Sequence, residues 1–316
     1  MITLTGCPVL TESQIKETNR FATVTEGYSG LPGTALEHLI VHEKNLRLLE
    51  ITNLKLPEAQ KEQEGELKAQ QELEDARAQA TERVVTRYHA AQDFAAMFKK
   101  DQARLEESLK FLDTYTKGLK ALISTENIDD LDKAGELLGK NLDRTTEQLQ
   151  ALGVKVKDGT DLGMIGSATA GAVRAIGGFI LSYHQARYVK EFTTAYHPHI
   201  ESATQAIIII MNTLASRTAT NEKKFDSYLG TQFQTFHHID TSTVLAISQE
   251  TQRIHDLEAS AKAAITASDA LVDAHAAIRE ELKTRRTLTN AIENISVLAE
   301  HIKAGLALKK KLEKSS

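Results

Sequence analysis

Apolar residues along the chain recur at alternating spacings of three and four. Val84, Ala91, Phe98, Leu105, Leu112 and Leu119 fall every seventh position, and Tyr88, Ala95, Leu109 and Ile123 fill the interleaved ones. Gln102 and Thr116 are the polar members of the series. This 3,4 alternation is the pattern of knobs-into-holes helix packing. No proline or glycine lies between positions 66 and 117, so one helix is expected from Pro57 to Ile123, about 100 Å long at 1.5 Å per residue.

Leu131, Leu138, Leu142, Thr145, Leu149 and Leu152 carry the same spacing after a break at Ser124-Thr125-Glu126-Asn127. Asn127 or Asp129 suits the cap of that helix, and Gly153 its end. The seam returns with Ile247, Ile254, Ala261 and Leu282, interleaved with Leu257, Ala264, Leu271 and Ile278, and with Ser268 and His275 as polar members. Leu288, Ile292, Ile295, Ala299, Ile302 and Leu306 continue in another phase, which predicts a turn or stutter near Lys283-Thr284-Arg285-Arg286. Two long seams each need an apolar partner. The pairing expected is Leu105, Leu109, Leu112 and Leu119 against Ile254, Leu257, Leu271 and Ile278.

The expected fold class is therefore all-α, an elongated antiparallel helical bundle with long coiled-coil-like helices near 34–53, 57–123, 128–153, 161–195, 199–225 and 240–313. Residues 1–33 read as an N-terminal tether or extended segment, and 34–316 as a single bundle domain. Tyr196-His197-Pro198-His199 reads as a break. Ile207–Ile210 is β-branched enough to allow a short strand, although its flanks are helical. The scarcity of proline (four residues), the absence of Trp and the 5% aromatic content agree with a helical bundle. The net charge of −5 is interspersed, so no field favours nucleic acid as a partner. Lys309-Lys310-Lys311-Leu312-Glu313-Lys314 suits a helix C-terminus, where cations complement the macrodipole.

Residues 162–181, LGMIGSATAGAVRAIGGFIL, hold one charge, Arg174, in twenty positions. Gly163, Ser167, Gly171 and Ala175 form a small-xxx-small row that admits another helix closely. Three readings stand: a buried helix packed through that row, a membrane segment exposed only on insertion, and a constitutive transmembrane helix. The third would place Arg174 near mid-bilayer at a cost of about 2.5–3.5 kcal/mol.

No motif for catalysis is present. Walker loops, dinucleotide fingerprints, CxxC, HExxH and Gly-x-Ser-x-Gly are absent from the sequence. His197 with His199, and His237 with His238, are the close histidine pairs; no acidic or Cys partner sits beside the first pair, and the two members of the second cannot face the same way on a helix. His197 and His199 are expected in an exposed loop, and His275, on the seam, as a core histidine with its hydrogen bonds satisfied. No cofactor and no metal are expected, and the chain is expected not to be an enzyme.

Leu4-Thr5-Gly6-Cys7 resembles the lipobox of bacterial membrane lipoproteins, and Cys7 is the single cysteine. The resemblance implies lipidation at Cys7, a membrane partner through the lipid anchor, and a place in the bacterial cell envelope on the periplasmic or surface side. The alternative is a secreted or soluble protein. Only three residues precede the string, too few for the apolar region that a lipobox follows. Long helices flanking a central Gly/Ala-rich apolar segment are similar in layout to the haemolysin E (cytolysin A) class of α-helical pore-forming toxins. That resemblance rests on no alignable motif. Two functions are thus expected in competition: a non-enzymatic, envelope-anchored helical scaffold or interaction protein, meeting a protein partner or a second copy through its seams, and a pore-forming or membrane-perturbing protein acting through 162–181.

Overall fold

A computed structural model describes residues 10–52, 66–156, 177–236, 241–284 and 289–314. Every described element is helical, and the long helices pack antiparallel in a bundle. The first helix, α1 (Glu12–Tyr28), starts with a capping box. The Thr11 hydroxyl accepts from the Gln14 N–H at 3.1 Å, and the Gln14 side-chain oxygen accepts from the Thr11 N–H at 2.9 Å.

This helix corrects the expectation of an extended tether over the described part of 1–33, residues 10–33. Its polar composition conceals a packed face: Gln14, Glu17, Thr18 and Thr25 are buried beside Phe21, Ala22 and Tyr28. Burial is tolerated because the polar groups are bonded. Gln14 Nε2 donates to the Glu281 carbonyl at 3.5 Å, Thr25 Oγ1 to the Phe21 carbonyl at 2.9 Å, and the Tyr28 hydroxyl meets Ser268 Oγ at 2.5 Å.

Only Ser29 separates α1 from α2 (Gly30–Thr52), and Pro32 sits in the first turn of α2, where its missing N–H costs nothing. The helix expected over 57–123 is divided into α3 (Glu66–Met97) and α4 (Lys99–Ser124). The junction is Phe98, buried at 3% exposure with the Arg217 guanidinium 4.9 Å above its ring. The anchored aromatic ties the start of α4 to the bundle, while α3 packs mainly on α2.

Asn127 caps α5 (Ile128–Ala151): its side-chain oxygen accepts from the Asp130 N–H at 2.8 Å. The helix ends at Gly153, whose φ of 81° lies in the left-handed region, with its N–H on the Gln150 carbonyl at 2.8 Å. The expected break at Tyr196–His199 does not occur. Pro198 lies inside α6 (Gly177–Phe236), a 60-residue helix about 90 Å long. A proline in a helix interior removes one backbone bond. Here Tyr196, His197, His199 and Ile200 are all buried, and their packing holds the path. Ile207 and Ile210 are buried while Ile209 is 56% exposed, the alternation of a helix and not of a strand.

The phase change near 284 separates α7 (Thr241–Thr284) from α8 (Thr289–Lys314). Glu281 braces that corner, its carboxylate accepting the N–H groups of Asn290 and Ala291, both at 3.1 Å. Burial raises the Glu281 carboxyl above its ordinary value against the pull of those two bonds.

The expected pairing of the α4 seam with the α7 seam is also corrected. α4 forms an antiparallel hairpin with α5 and packs on α6 and α1, while α7 packs on α6 and α8. Gly118 marks the closest approach in the hairpin, with Leu138 seated where a Cβ would be. The long α6 intervenes because its aromatic residues fill the space: the Phe192 ring lies 5.0 Å from that of Tyr115 and nearly parallel to it. Leu105, Leu112 and Leu119 nonetheless share one continuous core with Leu257, Leu271 and Ile278. Ile254 belongs to a smaller cluster with Leu46 and Phe225.

Candidate functional site

Cys7, Gly163, Ser167, Gly171 and Ala175 lie outside the described residues, as do His237 and His238. The chemistry that the structure does assemble sits elsewhere, at two places in the bundle.

The first is a chain of polar groups through the core. Tyr115 on α4 places its hydroxyl 2.6 Å from His275 Nε2 on α7. His275 Nδ1 lies 2.9 Å from His197 Nδ1 on α6, the two rings almost parallel. His197 Nε2 reaches Glu201 Oε1, one turn on, at 3.2 Å. Phe21 from α1 packs 5.7 Å from the His275 ring, and Tyr196 and Phe192 close the other sides. His275 and Tyr115 are at 0% and 1% exposure. Burial holds the His275 imidazolium well below its ordinary range, with His197 and Arg279 adding to the effect, and burial drives the Tyr115 phenol upward. His275 is thus a satisfied core histidine, as its seam position predicts.

The expectation of an exposed loop at His197 and His199 is corrected. His197 is buried in this chain of groups, and His199 stacks on Phe111 at 6.2 Å and is pushed below its usual value by burial. Among the described residues no group of three or more His, Cys, Asp or Glu is placed to hold a metal ion.

The second place is a cleft of about 150 Å³ between α2, α7 and α8, lined by His38, Val41, His42, Asn45, Glu250, Arg253, Leu257 and Leu312. Glu250 bonds His42 Nδ1 and accepts from Arg253 Nη1 at 3.1 Å. Burial pushes the Glu250 carboxyl up, but the His42 and Arg253 partners outweigh it and hold it below the usual carboxylate range. A carboxylate on Nδ1 leaves the other imidazole nitrogen available as a base, as in catalytic triads. His42 Nε2 is buried with no hydrogen-bond partner among the described residues. Among the described residues no hydroxyl or thiol lines the cleft, which holds the base half of such a device. Deeper in, Glu43 accepts from Asn221 Nδ2 at 3.0 Å and lies 3.9 Å from Arg217, the cation over Phe98.

Sequence reasoning had placed one member of these groups, His275, because a polar residue on an apolar seam stands out, and had singled out His197 but set it in an exposed loop. It missed Tyr115, His42 and Glu250. Their partners lie 160 and 208 positions away, and no local spacing reveals them.

Among the described residues no helix is long and apolar enough to cross a membrane. A comparison of the chain with protein-family models, with curated proteins and with solved structures finds no match.

Proposed function

We propose that the chain is a non-enzymatic helical interaction scaffold of the bacterial cell envelope, tethered by lipid on Cys7. One observation carries the interaction part. α3 packs on α2 and only slightly on α4, and leaves Tyr88 of its apolar series 46% exposed, with Val85, next to the series, 47% exposed. A helix with a heptad series and little cover suits capture of another helix, from a partner or from a second copy. A photo-cross-linker at Tyr88 should give a discrete adduct in cells, and one at Lys133 on the far hairpin should not. Adducts at neither position, or at both alike, would overturn the interaction reading. For the anchor, intact mass should show acylation of the native chain that Cys7→Ser removes.

A second reading, membrane perturbation through 162–181, is favoured by the topology around that segment. α5 ends with the Leu152 carbonyl accepting from Arg104 at 2.8 Å, at the start of α4. Beyond the segment, Gln185 on α6 donates to the Thr125 carbonyl at 2.6 Å, at the end of α4. The helices before and after the apolar stretch therefore reach opposite ends of the α4/α5 hairpin. Dye release from vesicles by the wild-type chain, lost in Gly171→Leu, would favour this reading. No release from either would favour the scaffold.

A further inference from the structure

We propose that Tyr115, His275, His197 and Glu201 form an acid-sensitive latch that holds α6 against α7 and opens when the pair of histidines takes up protons. The inference stands apart from the envelope reading and rests on the order of donors and acceptors. An ionised Glu201 only accepts, so His197 Nε2 carries a hydrogen toward it across 3.2 Å. A neutral His197 then offers Nδ1 as an acceptor. His275 must donate from its own Nδ1 across 2.9 Å. Its Nε2 is left to accept, and the Tyr115 hydroxyl donates to it across 2.6 Å. Every group is satisfied, in one direction only, from the core outward.

One added proton defeats this arrangement. A doubly protonated His197 donates from Nδ1, which forces His275 to accept there and to move its hydrogen to Nε2. That hydrogen then faces the Tyr115 oxygen, and the tyrosine hydrogen is turned away from its acceptor at a site 1% exposed. A second proton places two N–H groups head to head across the 2.9 Å contact. The groups around the pair give no relief. α1 presents the Phe21 ring and α4 presents Tyr115 and Phe111. α6 adds Tyr196 and His199, and α7 adds Arg279, a cation that disfavours a further positive charge. Asp143 on α5 acts on Tyr196, and α8 contributes apolar Ile295 and Leu298 to the same core. Glu201, 33% exposed, is the nearest compensating charge and the route by which protons enter.

The direction with pH follows. A histidine free in the opened chain titrates near ~6.5. His275 in the closed bundle titrates well below its ordinary value, so closure is fully favoured above the open-chain value of ~6.5 and weakens as pH falls below it. Each proton bound by the open form alone shifts the equilibrium about tenfold per pH unit.

The test uses the full chain with Cys7→Ser and spin labels at Thr213→Cys on α6 and Lys262→Cys on α7, both exposed positions. Between pH 7.5 and 5 the wild-type latch should show a growing population at longer distance, and His275→Gln, which hydrogen-bonds but does not titrate, should remove most of that pH dependence. The chain has 11 histidines, so the difference between the two proteins is the readout. Equal pH dependence in both would overturn the latch. If His275→Gln does not fold, imidazole nitrogen shifts of the wild type decide. His275 should stay neutral, with its proton on Nδ1, until the distance changes. Titration of His275 near ~6.5 with no change in distance would overturn the proposal.

Discussion

In α4 the seam residues Leu105, Leu112 and Leu119 are each at 2% exposure or less, whereas in α3 Val84 is only half-buried and Tyr88 remains about half exposed. The two helices carry one heptad series, with Gln102 and Thr116 as its polar members, and meet at Phe98. What differs is the size of the side chains. Burying a leucine contributes about 1.5–3 kcal/mol. α4 places leucines at most seam positions, while α3 places Ala91 and Ala95 there. Alanine offers little area to remove from water. Periodicity therefore specifies that a segment is helical and which face is apolar, and side-chain volume decides whether the bundle takes that face up.

The largest test of this contrast is Leu112→Ala. A truncation at a site 2% exposed should cost about 2–5 kcal/mol in urea unfolding. A cost under about 0.5 kcal/mol would remove the distinction between the two halves, since that is the range of ordinary surface changes.

Tyr115→Phe should cost about 1–3 kcal/mol, because it keeps the ring against Phe192 but leaves His275 Nε2 buried without its donor. An unchanged denaturation midpoint would mean that the polar chain contributes nothing to holding α4.

Gly118→Ala sharpens the comparison by sign. Its Cβ would lie 2.1–2.6 Å from Leu138 atoms, so overpacking of about 1–3 kcal/mol should exceed the helix gain of about 1 kcal/mol. At Gly33 on α2 nothing lies within 4 Å, and Gly33→Ala should stabilise by about 0.5–1 kcal/mol. Thermal melts of the two variants should move in opposite directions.

The smallest effect is expected at Tyr88→Ala, within about 0.5 kcal/mol because the side chain is half exposed. A loss comparable with that of Leu112→Ala would show that α3 is covered in the intact protein.

Most of the architecture was legible in the sequence. The helical class, the Asn127 cap, the Gly153 stop and the turn after Lys283 all follow from local chemistry. The departures share one cause, which is that tertiary contacts overrode local signals. Pro198 reads as a break, yet the buried residues around it hold the helix together. α1 reads as a tether because its buried face is built of Gln14, Glu17, Thr18 and Thr25, whose partners, such as the Glu281 carbonyl, lie far along the chain. The seam pairing failed because heptads mark a face without naming its neighbour, and the aromatic residues of α6 claimed the place beside α4. The candidate sites were least legible, because each is assembled across helices through contacts 78 to 208 positions apart.

The partners of α1 have a consequence for how this protein is made. Gln14, Arg20 and Tyr28 bond to residues 267, 276 and 240 positions downstream. Translation proceeds at roughly 5–20 residues per second, so α1 emerges on the order of tens of seconds before the helices it must join. Throughout that interval Phe21 and Tyr28 lack the cover that His275 and Ser268 of α7 give them. Closure of the bundle is then a late, long-range event of the kind that slows folding. A nascent chain of this design depends on a chaperone, or on early α4/α5 pairing, to keep its first helix out of wrong associations until the last one arrives.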